Sequence, residues 1–259
     1  NDKAQVAFSP DGKWFALVKF TGALELWDLS AKPYLKGPTN SAGLVVGKHL
    51  NFSPNGRILA CRGTNETVML WNLSDQSTVR FLPNHTGFCV TAFSPDSEII
   101  ATAANQQIRL WRVISQQLLA TVPNQHSDTR SMAFSPDGRT LAAASGNTEV
   151  RLWDVSDPMR PRALPALRGH TSFVTALAFS PDGKTLATGS YDSSLKLWDL
   201  ALGQSVATLR GHSSVVACLA FAPGGNAIYT GSGDATVRIW HAPNFEEIAQ
   251  AERGPATPK

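Results

Sequence analysis

Phe179-Ser180-Pro181-Asp182-Gly183 decides the fold, because it recurs. The same five residues stand at 8–12 and 134–138, with variants at 52–56 (FSPNG), 93–97 (FSPDS) and 221–225 (FAPGG). Successive phenylalanines are separated by 44, 41, 41, 45 and 42 residues. Each is followed by a tryptophan, at Trp27, Trp71, Trp111, Trp153, Trp198 and Trp240, 19 residues on in five units and 18 in the third. Insertions therefore fall outside the Phe-to-Trp segment, which marks a rigid piece inside each unit.

Outward from 179–183 the fifth unit reads as short strands and turns. Residues 174–179 alternate and are β-rich, 180–183 form a turn, and 185–190, 195–200 and 205–209 are three further strands. Within the turn Pro181 presets φ, Asp182 tolerates the third position, and Gly183 supplies the left-handed residue that closes it. Units of 41–45 residues with four strands fit a propeller blade, whereas helical repeats of this length need a 3.6-residue period that is absent. The expected fold is all-β: a β-propeller of four-stranded antiparallel blades, six of them visible at approximately 1–40, 41–82, 83–123, 124–168, 169–210 and 211–242, alone or within a ring of seven.

Composition agrees with this reading and excludes several function classes. The 259 residues are 42% hydrophobic and 17% charged, and 23 basic against 20 acidic side chains give a net charge of +3. That is far from the concentrated basicity of a nucleic-acid or membrane-surface binder, so neither partner is expected. No apolar run reaches the roughly 18 residues of a membrane span, and no signal-peptide pattern is present. Cys61, Cys89 and Cys218 form no CxxC pair and are odd in number, which argues for small core residues in a reducing, cytoplasmic compartment. No metal site, cofactor site or phosphate-binding glycine loop is expected.

The repeats resemble those of the WD-repeat (WD40) β-propeller family, over nearly the whole chain. The residues that carry the likeness are Trp27-Asp28, Trp153-Asp154 and Trp198-Asp199 at the ends of third strands, Gly169-His170 and Gly211-His212 before first strands, and the Phe-Ser-Pro-Asp-Gly turns. The resemblance implies blades set around a central channel with each first strand innermost. It also implies a buried hydrogen-bond chain of Trp, hydroxyl, His and Asp, groups whose donors and acceptors match in that order. The corresponding residues are Trp198, Thr188 or Ser190, His170 and Asp192 in the fifth unit, and Trp240, Thr230 or Ser232, His212 and Asp234 in the sixth. Elsewhere the pattern is broken. His85 and His126 stand one residue nearer their phenylalanines, and Asn105 and Asn147 replace the Asp. The second unit offers Asn65 and a displaced His49, and the first offers Thr21. A half-satisfied buried network is costly, so the early blades are expected to be less rigid than the last two.

A His, a hydroxyl and an Asp in one unit could suggest a nucleophilic triad, but the Trp partner and the repetition favour a structural role, and no catalytic residue is expected. By the same resemblance the partner surface is the rim built from the residues just before the Asp and just after the His. These are Phe173 and Tyr191 in the fifth unit, Val215 and Gly233 in the sixth, Phe20 in the first and Phe88 in the third. Aromatics on a rigid rim are plausible anchors, with packing against neighbouring blades as the alternative. Trp14 lies outside the repeat pattern. Arg151, Arg160, Arg162 and Arg168 flank Pro158, Pro161 and Pro165, and with Asp154 and Asp157 among them they read as a solvated connection.

At the C-terminus, residues 243–253 carry a helical pattern with Asn244 as cap and Glu247 three residues on, and 254–259 read as a disordered tail. The last unit then lacks its own outer strand. With Asn1 as first residue, the chain is expected to be the C-terminal repeat region of a larger, bacterial-type protein whose upstream residues complete the propeller. The expected function is a non-catalytic scaffold binding a protein or peptide through the rim and channel face. A regulatory domain of a multidomain kinase or ATPase is the nearest alternative and a propeller enzyme a distant one, since fold alone does not fix function.

Overall fold

The computed structural model describes residues 5–19, 24–30, 35–36, 50–63, 66–74, 79–85, 89–124 and 129–241. Blade 1 comprises β1 (Gln5–Phe8), β2 (Trp14–Val18), β3 (Leu24–Asp28) and β4 (Leu35–Lys36). Blade 2 comprises β5 (Leu50–Phe52), β6 (Ile58–Arg62), β7 (Val68–Asn72) and β8 (Val79–Leu82). Blade 3 comprises β9 (Val90–Phe93), β10 (Ile99–Ala104), β11 (Gln107–Arg112) and β12 (Leu118–Pro123). Blade 4 comprises β13 (Thr129–Phe134), β14 (Thr140–Ser145), β15 (Glu149–Asp154) and β16 (Arg162–Arg168). Blade 5 comprises β17 (Val174–Phe179), β18 (Thr185–Ser190), β19 (Ser194–Asp199) and β20 (Gln204–Arg210). Blade 6 comprises β21 (Val216–Phe221), β22 (Ala227–Ser232) and β23 (Val237–His241), three strands among the described residues. Every sheet is an antiparallel meander in chain order, and the blades are arranged as a β-propeller in which the first strands β1, β5, β9, β13, β17 and β21 pack in succession. The helix expected at 243–253 and the tail at 254–259 lie outside the described residues.

The turns that follow the first strands are held by a local device. Ser180 Oγ donates to Asp182 Oδ1 at 2.6 Å and accepts the Thr185 amide at 2.9 Å, while Asp182 Oδ1 also accepts the Lys184 amide at 3.1 Å. One hydroxyl thus satisfies a donor across the turn and orients the carboxylate that satisfies another. The same set recurs around Ser9 and Asp11, Ser53 and Asn55, Ser94 and Asp96, and Ser135 and Asp137. The carboxyls of Asp11, Asp137 and Asp182 titrate below their usual range, chiefly because of these serine hydroxyls. Gly183 takes φ +72°, which a Cβ disfavours, and in the third unit Ser97 adopts the same left-handed conformation at φ 64°. The sixth turn, Ala222-Pro223-Gly224-Gly225, has neither hydroxyl nor carboxylate; the Ala222 amide bonds the Ala227 carbonyl and the Gly225 amide bonds the Ala222 carbonyl.

Among the described residues the core is divided among five clusters, each spanning two consecutive blades. The period-2 alternation of each strand gives a blade two apolar faces. The leading face, toward the next blade, carries an alanine at the middle of the second strand: Ala16, Ala60, Ala101, Ala142 and Ala187, all fully buried. Each is paired in register with a third-strand leucine: Leu26, Leu70, Leu110, Leu152 and Leu197. The trailing face carries the phenylalanine of the repeat, the tryptophan, and a Leu or Ile beside it. Each alanine shares its cluster with that residue of the following blade: Leu59, Ile100, Leu141, Leu186 and Ile228. Trp14, which the repeat does not explain, packs partly buried into the interface between blades 1 and 2.

Replacing Ser135 by Ala unpartners the Thr140 amide and leaves Asp137 only the Arg139 amide of its two turn partners, and costs about 1 kcal/mol in urea unfolding. Ala222→Ser alone, with Gly224 retained, gives no comparable gain, because the carboxylate that the hydroxyl orients is missing there.

Candidate functional site

The rim begins with what holds it. In blade 5 the Trp198 indole donates to Thr188 Oγ1 at 2.8 Å, Thr188 Oγ1 meets His170 Nε2 at 2.8 Å, and His170 Nδ1 meets Asp192 Oδ2 at 2.8 Å. Because the carboxylate only accepts, His170 carries its proton on Nδ1, Nε2 accepts the threonine hydroxyl, and every group is satisfied. Blade 6 repeats the chain through Trp240, Thr230, His212 and Asp234, with all three contacts at 2.8 Å. The middle hydroxyl is the threonine in both. The serines do other work: Ser190 Oγ donates to the Ser172 carbonyl and accepts the Asp192 amide, and Ser232 Oγ does the same with Ser214 and Asp234. Asp192 further accepts the amides of Thr171 and Ser194 and the Ser194 hydroxyl. One carboxylate therefore ties the loop before the first strand to the turn after the second.

Blade 3 holds a third network without a carboxylate. Trp111 donates to Thr102 Oγ1 at 2.9 Å, Thr102 meets His85 Nε2 at 2.7 Å, and His85 Nδ1 donates to the Leu82 carbonyl at 3.0 Å. A backbone carbonyl thus takes the place of Asp. In blades 1, 2 and 4 the position of the threonine is Leu17, Cys61 and Ala143, none of which carries a hydroxyl. His126, His49, Asn65 and Thr21 lie outside the described residues.

Burial and hydrogen bonding set the titration of these groups. Desolvation pushes His85 down to about 4, against the opposing effect of the Leu82 carbonyl, and also lowers His170 despite Asp192 beside it. For Asp192, burial acts to raise the pKa, but the hydrogen bonds from Ser194, Thr171 and His170 outweigh it and hold the carboxyl well below its usual range. The Thr236 hydroxyl is the main cause of the same lowering at Asp234.

The network places the rim residues. The Tyr191 amide donates to the Phe173 carbonyl at 2.9 Å, so the residue before the Asp lies beside the residue after the His loop. Both side chains are 48% exposed and meet edge to face, with ring centroids 6.3 Å apart and planes at 89°. The Arg130 guanidinium, from the first strand of blade 4, lies 5.7 Å from the Tyr191 ring centroid. In blades 4, 5 and 6 the first strand carries a register shift at its start, between Thr129 and Ser131, Val174 and Ala176, and Val216 and Cys218, which re-aims the residues at the strand mouth. The equivalent pair in blade 6 is Val215 and Gly233, joined by the same backbone bond and bearing no aromatic. Phe20 and Phe88 lie outside the described residues. Arg130 carried no sequence signal, because it reaches Tyr191 from a neighbouring unit.

Other candidates sort out differently. Arg151 and Arg168 both bond Glu149, through Nε at 3.2 and 3.0 Å. Cys61 and Cys89 are buried, with Cys89 pushed up to about 12 by desolvation, whereas Cys218 is exposed, contrary to the expectation of a core residue. A cleft of about 550 Å³ opens between blades 5 and 6 at the end carrying the Pro-Asp-Gly turns, away from the aromatic pair, among Leu197, Leu209, Phe221, Ile228 and Trp240. Among the described residues no group of three or more His, Cys, Asp or Glu side chains could hold a metal ion, and no helix is long and apolar enough to cross a membrane.

Residues 162–199 and 203–241 match the family model described as WD domain, G-beta repeat, and residues 91–169 match that of the anaphase-promoting complex subunit 4 WD40 domain. Human WD repeat and SOCS box-containing protein 1 is 29% identical over 188 residues, covering 65% of this chain and 42% of that protein. The Drosophila melanogaster protein LST8 homolog is 29% identical over 176 residues, covering 62% and 54%. The Zea mays guanine nucleotide-binding protein subunit beta is 24% identical over 185 residues, covering 65% and 48%. The chain thus spans about half the length, or less, of these curated relatives. With the six blades, these matches support a WD40 β-propeller.

Two outcomes follow from the networks. Thr188→Val keeps the shape but leaves the Trp198 indole and His170 Nε2 without a partner, and costs about 3 kcal/mol in denaturant unfolding. On acidification, the unfolded chain protonates His85 near 6.5 while the folded chain does so only near 4. The stability held by neutral His85 is therefore complete above about pH 6.5 and lost as pH falls toward 4. Thermal melting between pH 7 and 4 shows that loss, and His85→Gln reduces it.

Proposed function

We propose that this WD40 β-propeller is a non-catalytic scaffold that takes a peptide or protein segment on the rim at Phe173, Tyr191 and Arg130. The observation that carries the reading is that two half-exposed aromatic rings are held edge to face by a backbone bond and a buried network, with a guanidinium over one of them. Rigid aromatics and an arginine are the residue types that concentrate binding energy, because little side-chain entropy is lost when a partner covers them. The surface suits a segment with an apolar side chain to cover the rings and a carboxylate to meet Arg130. Val215 and Gly233 give the neighbouring blade a flat shoulder over which such a segment can continue toward the channel. The relatives support an interaction role in general, and the rim as its site is our reading of the geometry.

Peptides selected by display against the full chain test this. Their affinity is expected to fall at least about thirtyfold for the Phe173→Ala, Tyr191→Ala double variant, the loss of about 2 kcal/mol typical of a hot spot. Arg130→Ala is expected to weaken carboxylate-bearing peptides more than neutral ones. Undiminished binding by the double variant overturns the rim as the site.

A further inference from the structure

Among the described residues, the interface between blades 5 and 6 is the least filled. Its buried apolar side chains are Ala187, Leu195 and Ile228, while Leu197, Leu209, Phe221 and Trp240 are only partly buried. At the other interfaces the counterparts of Trp240, which are Trp71, Trp111, Trp153 and Trp198, are at most 5% exposed, and Leu82, Val122 and Leu167, which stand where blade 5 has Leu209, are at most 9%. A difference in sequence goes with this. The residue two after the tryptophan is Leu73, Val113, Val155 and Leu200 in blades 2 to 5, and each packs into the cluster shared with the preceding blade. The sixth unit has Ala242 at that place, and an alanine does not fill the volume of a branched side chain. Gly224, where the fifth turn has Asp182, takes a further side chain away from the edge of the same interface.

The cleft of about 550 Å³ that opens here has the size and the mainly apolar walls of a small-molecule site. Its charge is one-sided. Asp182 is the one Asp, Glu, Lys or Arg side chain among the described residues that line it, and Asp182 is exposed, so the carboxylate stands where the cleft meets solvent. The Ser180 hydroxyl and the Lys184 amide both bond Oδ1, which leaves Oδ2 to accept from a ligand. The Lys184 charge also acts on this carboxyl, but Lys184 is not among the lining residues. At the other interfaces the turn carboxylate or amide recurs, while the open space does not, because Leu73, Val113 and Val155 are buried there.

We propose that the cleft between blades 5 and 6 binds a small organic cation, with an alkyl or aryl body against Leu197, Phe221 and Trp240 and an ammonium group on Asp182 Oδ2. The walls reward any apolar body that leaves water, and the head decides among such bodies. An ammonium at the mouth keeps part of its hydration and gains a charge-assisted hydrogen bond, a hydroxyl gains a weaker one, and a carboxylate meets a like charge. The site lies away from the aromatic pair on the rim and does not depend on it.

Three probes with one body and different heads test this: phenylbutylamine, phenylbutanol and phenylbutyrate, each titrated calorimetrically into the full chain at neutral pH. One molecule of the amine is expected to bind per chain, at least about tenfold more tightly than the alcohol, with the carboxylate the weakest of the three. Asp182→Asn removes the charge and keeps the turn, since Asn55 holds the same two bonds in the second unit. This variant is expected to erase the preference for the amine and to leave the affinity of the alcohol within about twofold. Leu209→Trp sets an indole into the cleft and is expected to weaken all three probes at least about tenfold. Gly224→Leu fills the same space from the turn, where an added Cβ meets nothing nearer than the Asn226 side chain at 3.5 Å, and gives the same loss should the first filling variant fold poorly. Equal affinity for the three heads, a preference that survives Asp182→Asn, amine binding untouched by a folded filling variant, or no saturable binding of any probe overturns the proposal.

Discussion

An alanine at the middle of the second strand in blades 1 to 5 sets how closely two blades approach, and most of the molecule depends on that distance. A twisted sheet can lie against another only if side chains of one fill hollows in the other, and here a methyl group on the leading face leaves the hollow that a Leu or Ile on the trailing face occupies. Because the rule repeats, the first strands stack in order and the rim loops of adjacent blades come within reach of one another. Arg130 can sit over Tyr191 only because blades 4 and 5 are held at this spacing.

Above the interfaces, polar chemistry fixes what apolar packing cannot. Packing chooses a distance but tolerates small slides, whereas a Trp-Thr-His-Asp chain admits one arrangement of donors and acceptors. In blade 5 the terminal carboxylate draws together two segments far apart in sequence, and the aromatic pair is built on them. In blade 3 the same histidine position ends on a carbonyl, and Asn105 at the place of the Asp donates to the Asn84 carbonyl.

Much of this was legible in the chain. The Phe-to-Trp spacing and the Pro-Asp-Gly turns give the four-strand units, and in blade 5 the strands fall within a residue or so of the sequence reading. The choice between Thr188 and Ser190 could have been made by aligning the units. The third has Thr102 at the first position and Ala104 at the second, so only one hydroxyl position is common to the three units in which, among the described residues, Trp is joined to His. What the sequence withheld was non-local: Arg130 meeting a ring of another unit, the Leu82 carbonyl standing in for a side chain, and the solvent exposure of Cys218, whose strand looks like any other.

The turn device around Ser180 and Asp182 bears on how such a chain assembles. Its hydrogen bonds span at most five residues and need nothing from a neighbouring blade. Five hairpins can therefore reach near-native registers while the chain is still extended, and the slow part of folding becomes the stacking of preformed pieces. The sixth hairpin, with Ala222 and Gly224 in place of the hydroxyl and the carboxylate, has no such head start and takes its register from blade 5. Folding thus acquires a direction that the nearly symmetric repeats would not otherwise give it.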